Sequence, residues 1–126
     1  MIVGIGTDLC EIGRVQKALE RHGERFARKI LVESELLRYG RHRKPAAYLA
    51  KRFAAKEAFS KAMGTGIHFP VNWHNVSVEN GPSGRPMLRF SEPLRALLRE
   101  RGITAAHLSL SDETGMACAF VVLEGD

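Results

Sequence analysis

The segment FAAKEAFSKAMGTGI, residues 53–67, places a carboxylate and an ammonium four residues apart on a predicted helix. Glu57 and Lys61 in this order form a favourable ion pair on a helix surface, worth about 0.2–0.5 kcal/mol. With Lys56 and Ser60 they form a predicted polar strip along the helix, whose alanines would let other backbones approach closely. The two charges are therefore also placed to act on one ligand. The turn at residues 64–66 then predicts exposed backbone N–H groups beside the lysine, which suit phosphate oxygens.

A second carboxylate, Asp8, lies near the end of the first predicted strand, in the sequence GIGTDL. Gly4 and Gly6 supply only the first half of a dinucleotide-binding fingerprint, because Leu9 occupies the position of the third glycine. The segment is therefore not that fingerprint. Asp8 either caps a turn or serves as a ligand, and this segment alone favours the turn.

A third candidate, His107, belongs to the segment HLSLSD, in which polar and apolar residues alternate as in a half-buried strand. The alternation places His107, Ser109 and Ser111 on one face of the strand. A histidine on such a face is more often structural or simply exposed than catalytic. No G-x-S-x-G elbow is present, so serine nucleophilic catalysis is not supported.

Asp8 and Glu57 are too few to form a metal site made of protein ligands alone. Mg²⁺ keeps several waters and is often held by one or two carboxylates together with substrate phosphates, so two carboxylates suit it. A lysine beside such a metal stabilises charge on a phosphoryl group during transfer. The residues therefore indicate phosphate or pyrophosphate chemistry with Mg²⁺, and by themselves they indicate no more.

The elements that position these residues can be predicted from the hydrophobic pattern and the turn residues. We expect an α+β fold with a mostly antiparallel sheet packed with a long central helix, in a single domain over residues 1–126. Glycine and proline residues mark the predicted turns and helix ends, and Ser91 is predicted to cap a helix. The predicted strands are 1–12, 73–80, 86–90, 105–112 and 116–124. The predicted helices are 14–31 with a break at Gly23, 33–40, 46–63 with Gly64 as the C-cap candidate, and 92–101 with Gly102 past its end.

The net charge of +5 is concentrated in one part of the chain. Residues 14–52 hold twelve Lys or Arg against four Glu, an excess of eight positive charges, while the remainder carries a net charge of −3. This asymmetry indicates an acidic protein, a phosphate ligand or a nucleic acid as the partner of that segment. Cys10 and Cys118 have no metal-ligand spacing and are predicted to be buried free thiols. With neither a signal-peptide pattern nor a run of about 18 apolar residues, a cytoplasmic protein is expected.

Four segments taken in order resemble one known family. These are GIGTDLCEIGRV, FAAKEAFSKAMGTGI, GPSGRPML and HLSLSDETGMACAFVVLE, and together they span nearly the whole chain. They are similar to the motifs of the holo-[acyl-carrier-protein] synthases, the small 4′-phosphopantetheinyl transferases. The resemblance implies transfer of the 4′-phosphopantetheine arm of coenzyme A to a serine of an acyl carrier protein, for fatty acid biosynthesis. It also implies release of adenosine 3′,5′-bisphosphate and a homotrimer with sites between subunits.

The resemblance also implies roles for individual residues. Asp8 and Glu57 match the Mg²⁺ ligands. Lys61 matches a lysine that contacts the phosphates and helps to protonate the leaving group, and His107 matches a histidine near the substrate phosphates. Whether Glu57 or a metal-bound water removes the serine proton stays open, and Asp112 receives no catalytic role. Two roles also stay open for Lys56, which either orients Glu57 or reaches solvent. The implied coenzyme A contacts are Lys44, Arg52, Lys61, Gly64, Gly66, Arg85 and Pro86, and the implied carrier contacts are Arg14, Arg21, Arg25 and Arg28.

Two other functions share some of these sequence features with the transferase. A basic nucleic-acid-binding module agrees with the charge, but the chain has no RNP1-like aromatic run, GXXG loop or zinc spacing. A Mg²⁺-dependent nucleotide phosphohydrolase would share the metal and the lysine, and it would use water in place of a protein hydroxyl as acceptor. The transferase is the preferred hypothesis.

Overall fold

The computed structural model describes all residues, 1–126, as five helices and five strands. None of the helices has both the length and the apolar character needed to cross a lipid bilayer. In chain order the elements are β1 (Ile2–Glu11), α1 (Ile12–His22), α2 (Glu24–Ile30), α3 (Glu33–Arg41), α4 (Pro45–Met63), β2 (Val76–Asn80), β3 (Pro86–Phe90), α5 (Glu92–Glu100), β4 (Ile103–Glu113) and β5 (Met116–Gly125).

The strands form two antiparallel sheets, one of three strands in the order β1-β5-β4 and one hairpin of β2 and β3. Alternation along the three-stranded sheet separates an inner face, packed on α4, from an outer face that no other part of the chain covers. Ala119, Val121 and Leu123 of β5 are buried on the inner face, whereas Phe120 is 44% exposed on the outer face. The predicted α+β class and antiparallel sheet are confirmed.

Helix α4 lies between the two clusters of the core. Its N-terminal half, including Leu49 and Ala50, packs with α1 and α2. Its C-terminal half, including Ala58 and Phe59, packs on the sheets and on α5. Thirteen of its 19 residues are buried, so the predicted long central helix is also confirmed.

Strand β1 approaches the backbone of α4 closely because two of its residues have no side chain. A Cβ atom on Gly4 would overlap the carbonyl oxygen of Ala62, and one on Gly6 would overlap that of Ala58. The small residues that resembled a dinucleotide-binding motif therefore serve packing. This contact sets the distance between β1 and the side chains of α4.

Gly23, at φ 61°, separates α1 from α2 and confirms the break predicted within residues 14–31. Two other local predictions were wrong in detail. Strand β2 begins at Val76 and not at residue 73, because Trp73 belongs to a loop held by other contacts. Ser91 does occupy the N-cap position of α5, yet its hydroxyl is buried without a hydrogen-bond partner.

We expect the substitution Gly6→Ala to lower the free energy of unfolding by about 1–3 kcal/mol or more, since its Cβ would also lie 2.7 Å from the Ala62 nitrogen. Thermal denaturation followed by circular dichroism measures the loss. Gly13→Ala is the matched control, because nothing lies within 4 Å of a Cβ at that helical position. Equal melting temperatures for the two variants would contradict the close-packing argument.

Candidate active site

Asp8 and Lys61 meet where β1 crosses the last turns of α4. Asp8 lies on the inner face of β1, and Lys61 Nζ donates to its Oδ1 at 3.1 Å and to the Thr7 carbonyl at 3.0 Å. The side chain of Lys61 is 53% exposed and that of Asp8 is 14% exposed. The expected ion pair of Glu57 with Lys61 is replaced by this cross-element pair, since no salt bridge joins those two helix residues.

Glu57 and Asp8 line the same cavity of about 480 Å³. Partial burial raises the pKa of Glu57, the negative charge of Asp8 raises it further, and the Lys61 ammonium lowers it. The rest of the lining combines one cation, Arg14, and a further acidic residue, Glu11, with an apolar side that includes Phe26 and Phe53. The cavity thus holds two neighbouring carboxylates next to apolar surface, in contact with solvent.

The two cysteines are free, as predicted, but only partly buried. Cys10 lies in the cavity beside Asp8, and burial and that carboxylate together raise the pKa of its thiol. Cys118 belongs to the outer-facing set of β5, and the residue it pairs with on β1 is Leu9. The two sulfur atoms therefore lie on opposite faces of the sheet.

The donor set of this cavity fits Mg²⁺. Burial is the main cause of the raised pKa of Glu57 and repulsion by Asp8 adds to it, and a cation placed between the two carboxylates would relieve that repulsion. No cluster of three or more His, Cys, Asp or Glu side chains is placed to hold a metal. Two carboxylates with space for water and phosphate oxygens match the coordination habits of Mg²⁺.

Lys56 neither orients Glu57 nor reaches solvent, the two roles considered for it from the sequence. It is fully buried, and its Nζ donates to Glu35 Oε1 at 2.7 Å and to the carbonyls of Ile30 and Trp73. Burial lowers its pKa, and the Glu35 carboxylate opposes that effect. Ser60 is buried as well, so the predicted polar strip along α4 is reduced to Glu57 and Lys61.

The turn at residues 64–66 does not offer free N–H groups to phosphate. The amide of Gly64 donates to the Lys61 carbonyl at 3.0 Å, and the amides of Thr65 and Gly66 both donate to the Ser60 carbonyl at 3.3 Å. Gly64, at φ 75°, is the predicted left-handed C-cap of α4. Any contact of Gly64 or Gly66 with coenzyme A would use their open Cα surface. The assignment of these two glycines to coenzyme A binding stays a prediction.

His107 lies apart from the other candidate residues within one chain. It pairs with Val122 in the sheet, whereas Asp8 pairs with Ala119 and is separated from β4 by the whole of β5. The predicted shared face of His107 with Ser109 and Ser111 is confirmed, since all three are exposed. On that outer face Nε2 of His107 forms a hydrogen bond with the carboxylate of Glu124.

A second cleft, of about 330 Å³, is strongly basic. Arg52 lies at its base, 5% exposed, with its guanidinium 4.1 Å above the Tyr48 ring and its Nε without a hydrogen-bond partner. Asn80 Oδ1 accepts from Arg52 at 3.2 Å. Three further cations line this cleft and were not predicted from the sequence: Arg38, Arg41 and Lys51. The closely spaced arginines of α3 were a usable signal for two of them.

The remaining predicted coenzyme A contacts lie around this cleft. Asn80 Nδ2 donates to the Gly84 carbonyl at 2.9 Å and so ties the β2–β3 turn, which holds Arg85 and leads into Pro86, to the cleft. Lys44 is exposed at the N-cap of α4, next to the cleft residue His42. Asp112, for which no catalytic role is predicted, pairs with Lys51 at 3.2 Å.

The arginines predicted to bind the carrier lie on the exposed surfaces of α1 and α2. Arg14 and Arg21 line one groove of about 680 Å³, and Arg14 also borders the cavity of Asp8 and Glu57. Arg25 lines the adjoining depression with Phe26. Arg28 is partly neutralised by Glu24 at 3.1 Å. A basic surface therefore leads directly to the two carboxylates.

Comparison with known proteins supports one family. Residues 4–121 match the model of the 4′-phosphopantetheinyl transferase superfamily. A holo-[acyl-carrier-protein] synthase of Nitrosomonas europaea is 54% identical, over 98% of this chain and 99% of the relative. The chain belongs to the holo-[acyl-carrier-protein] synthase family.

Solved structures of this family share the fold. The Neisseria meningitidis synthase superimposes with a TM-score of 0.95 at 44% identity, over 98% of this chain and 99% of that one. The Bacillus anthracis synthase, solved in complex with CoA (3′,5′-ADP), gives a TM-score of 0.84 at 38% identity, over 100% and 99% of the two chains. The predicted resemblance, the phosphopantetheinyl transferase fold and the enzyme class are thereby confirmed.

We expect Lys61→Met to raise the pKa of Glu57 further, because Lys61 is the cation that lowers it against burial and Asp8. Carbon-13 NMR titration of the Glu57 carboxyl measures the shift. Lys17→Met, at an exposed position of α1, is the control and should leave that pKa unchanged. A Glu57 titration identical in all three proteins would show that Lys61 does not act on this carboxylate.

Proposed function

We propose that the protein transfers the 4′-phosphopantetheine group of coenzyme A to a serine hydroxyl of an acidic acyl carrier protein, with Mg²⁺, in fatty acid biosynthesis. Residues 1–126 act as one phosphopantetheinyl transferase domain in this proposal. The observation that carries it is the convergence of Asp8, Glu57 and Lys61 from β1 and α4 at one solvent-accessible cavity. Two carboxylates and one ammonium suit a metal-bound pyrophosphate better than any substrate without phosphate.

Asp8 and Glu57 would hold Mg²⁺ together with the pyrophosphate of coenzyme A. When bound, the metal would neutralise charge on the phosphates and polarise the phosphoryl oxygen. Lys61 has an exposed ammonium anchored by the Thr7 carbonyl, so it is positioned to contact a phosphate without losing its attachment to β1. These three residues therefore divide the binding of one diphosphate between them.

In the reaction the carrier's serine oxygen attacks the phosphorus esterified to pantetheine. The new serine O–P bond forms as the P–O bond to the adenosine 3′,5′-bisphosphate breaks, and the electron pair of that bond leaves with the bisphosphate. Glu57, whose pKa is raised, suits acceptance of the serine proton. Lys61 stabilises the negative charge that grows on the leaving phosphate.

We assign the adenosine 3′-phosphate to the basic cleft at Arg52. The buried Nε of Arg52 has no hydrogen-bond partner, and the cations around it create a positive potential that an anion would relieve. The family members from Bacillus anthracis and Helicobacter pylori, solved in complex with CoA (3′,5′-ADP) and with coenzyme A respectively, support coenzyme A as the nucleotide. His42 and Lys44 lie at the rim and would extend the contact.

We assign the carrier to the basic surface of α1 and α2. Arg14, Arg21 and Arg25 are exposed there, and Arg14 reaches the rim of the cavity that holds Glu57. Acidic helices of a carrier would be attracted to this surface, and the attraction would weaken with added salt. The carrier's serine would then arrive beside the two carboxylates.

We further propose a homotrimer that covers the outer face of the three-stranded sheet. Ile5 and Leu9 of β1 are 60% and 67% exposed on that face, beside the exposed Phe120. An apolar patch of this kind is typical of a protein interface. His107 lies on the same face, so packing between copies would bring it to a neighbouring subunit's phosphate site.

Glu57→Gln should reduce transfer at least about a hundredfold while the protein stays folded, because it removes a charged ligand and a proton acceptor. Mass spectrometry of apo carrier incubated with coenzyme A and Mg²⁺ measures the phosphopantetheinyl mass gain. Glu100→Gln, at an exposed position of α5, is the matched control and should retain activity. No mass gain with the unmodified protein and a competent carrier would refute the transferase, and nucleotide release without carrier would favour a phosphohydrolase.

Light scattering after size exclusion should give three chain masses for the unmodified protein. Ile5→Asp places a charge on the outer face of β1 and should shift the population towards single chains. Leu37→Asp changes an equally exposed residue of α3, 63% exposed, and should leave the trimer intact. A trimer that survives Ile5→Asp would locate the interface elsewhere.

A further inference from the structure

Lys56 joins three segments of the chain at one buried point. Its Nζ donates to the carbonyl of Ile30 at 2.6 Å, to Glu35 Oε1 at 2.7 Å and to the carbonyl of Trp73 at 2.8 Å. Ile30 is the last residue of α2 and Trp73 belongs to the loop before β2. All three donors of the ammonium are therefore used, each on a different segment.

Glu35 extends this junction to two further elements. Its side chain is 1% exposed, and its two oxygens accept the amides of Val32, at 2.9 Å, and Val78, at 2.8 Å. Its own carbonyl accepts from the Tyr48 hydroxyl at 3.1 Å. The pair of Lys56 and Glu35 thus ties α2, α3, β2 and the Trp73 loop to α4.

The same pair supports one wall of the cavity that holds Glu57. The ring of Trp73 stacks on Phe53, with centroids 5.1 Å apart and planes at 22°. Phe53 and Phe26 form the aromatic part of that cavity wall, and Phe26 lies one helical turn before Ile30. His74 adds a second tie between the loop and α2, since its Nε2 donates to the Arg28 carbonyl at 2.8 Å.

An apolar pair of similar volume would fill this space without the cost of burying two charges. Such a pair would not fix three carbonyl-bearing segments, because only the ammonium supplies three directed donors. Lys56 is next in sequence to Glu57, and two of its acceptors are the carbonyls of Ile30, on the helix of Phe26, and of Trp73, whose ring stacks on Phe53. The geometry of the ion pair therefore suits the placement of the aromatic wall.

We propose that Lys56 and Glu35 are positioning residues that hold the aromatic wall of Phe26 and Phe53 in place for the carrier protein. The inference rests on the proposed function, because the wall borders Glu57 on the side of Arg14, where the carrier is assigned. Lys56 and Glu35 touch no reacting atom. They act on the carrier's approach to Glu57 through Ile30 and through the stacking of Trp73 on Phe53.

The test removes both charges together, so that neither is left buried and unpaired. The double variant Lys56→Met/Glu35→Gln should raise the KM for carrier on the order of tenfold or more, with the KM for coenzyme A unchanged. The control Arg95→Met/Glu92→Gln removes an exposed ion pair of α5 at 3.1 Å and should change neither KM. An unchanged carrier KM in the folded double variant, or an equal rise in both KM values, would overturn the proposal.

Trp73 is the only tryptophan and reports directly on the wall. In the double variant, acrylamide should quench its fluorescence more strongly than in the unmodified protein, because the stacked ring becomes accessible. This measurement needs no turnover, so unchanged quenching overturns the inference even if the transferase assay itself fails. A failed transferase assay with the unmodified protein would instead count against the proposed function.

A second variant decides the matter if the double variant does not fold. Trp73→Leu removes the stacking on Phe53 and leaves the Lys56 bond to the backbone carbonyl of that position. It should reproduce the rise in the KM for carrier without a change in the KM for coenzyme A. Normal carrier kinetics in Trp73→Leu would show that the wall does not depend on this contact.

Discussion

The backbone contact between β1 and α4 is the constraint on which the candidate site depends. The absence of side chains at Gly4 and Gly6 lets the strand lie directly on the carbonyls of Ala58 and Ala62. Only at that separation can Lys61 donate to both the backbone and the side chain of β1. A strand held further away by one methyl group would separate the two carboxylates and the ammonium that the proposed chemistry needs together.

Neighbouring charges on α4 have different environments because successive residues of a helix are turned by about 100°. Lys56 points into the core and is fixed by Glu35, while Glu57, one position later, reaches the cavity rim. Glu57 and Lys61, four residues apart, share the solvent-facing boundary of the helix. A buried ion pair next in sequence to the carboxylate proposed to be catalytic gives that part of the helix little freedom to move.

The sequence predicted the α+β class, the long helix and the meeting of Asp8 with the Glu57 segment, since these follow from hydrophobic periodicity and residue chemistry. It did not predict the partner of Lys61, because an i,i+4 pair and a pair across two elements look alike in one dimension. It assigned Lys56 to a polar strip, because burial with three acceptors requires segments that lie up to 26 residues away. The split at Gly23 was signalled by glycine, but only the backbone angles establish it.

The pleat of β1 places the residues proposed for catalysis and those proposed for trimer assembly on opposite faces of one strand. Asp8 projects inward to the carboxylate cavity, and Leu9 projects outward to the uncovered apolar face. A shift of one residue in the pairing with β5 would exchange these faces and bury the wrong set. The proposed catalysis and the proposed assembly therefore depend on the same strand register. His107, on the outer face of β4 and two strands away from Asp8 within one chain, would come near a phosphate only in the proposed trimer.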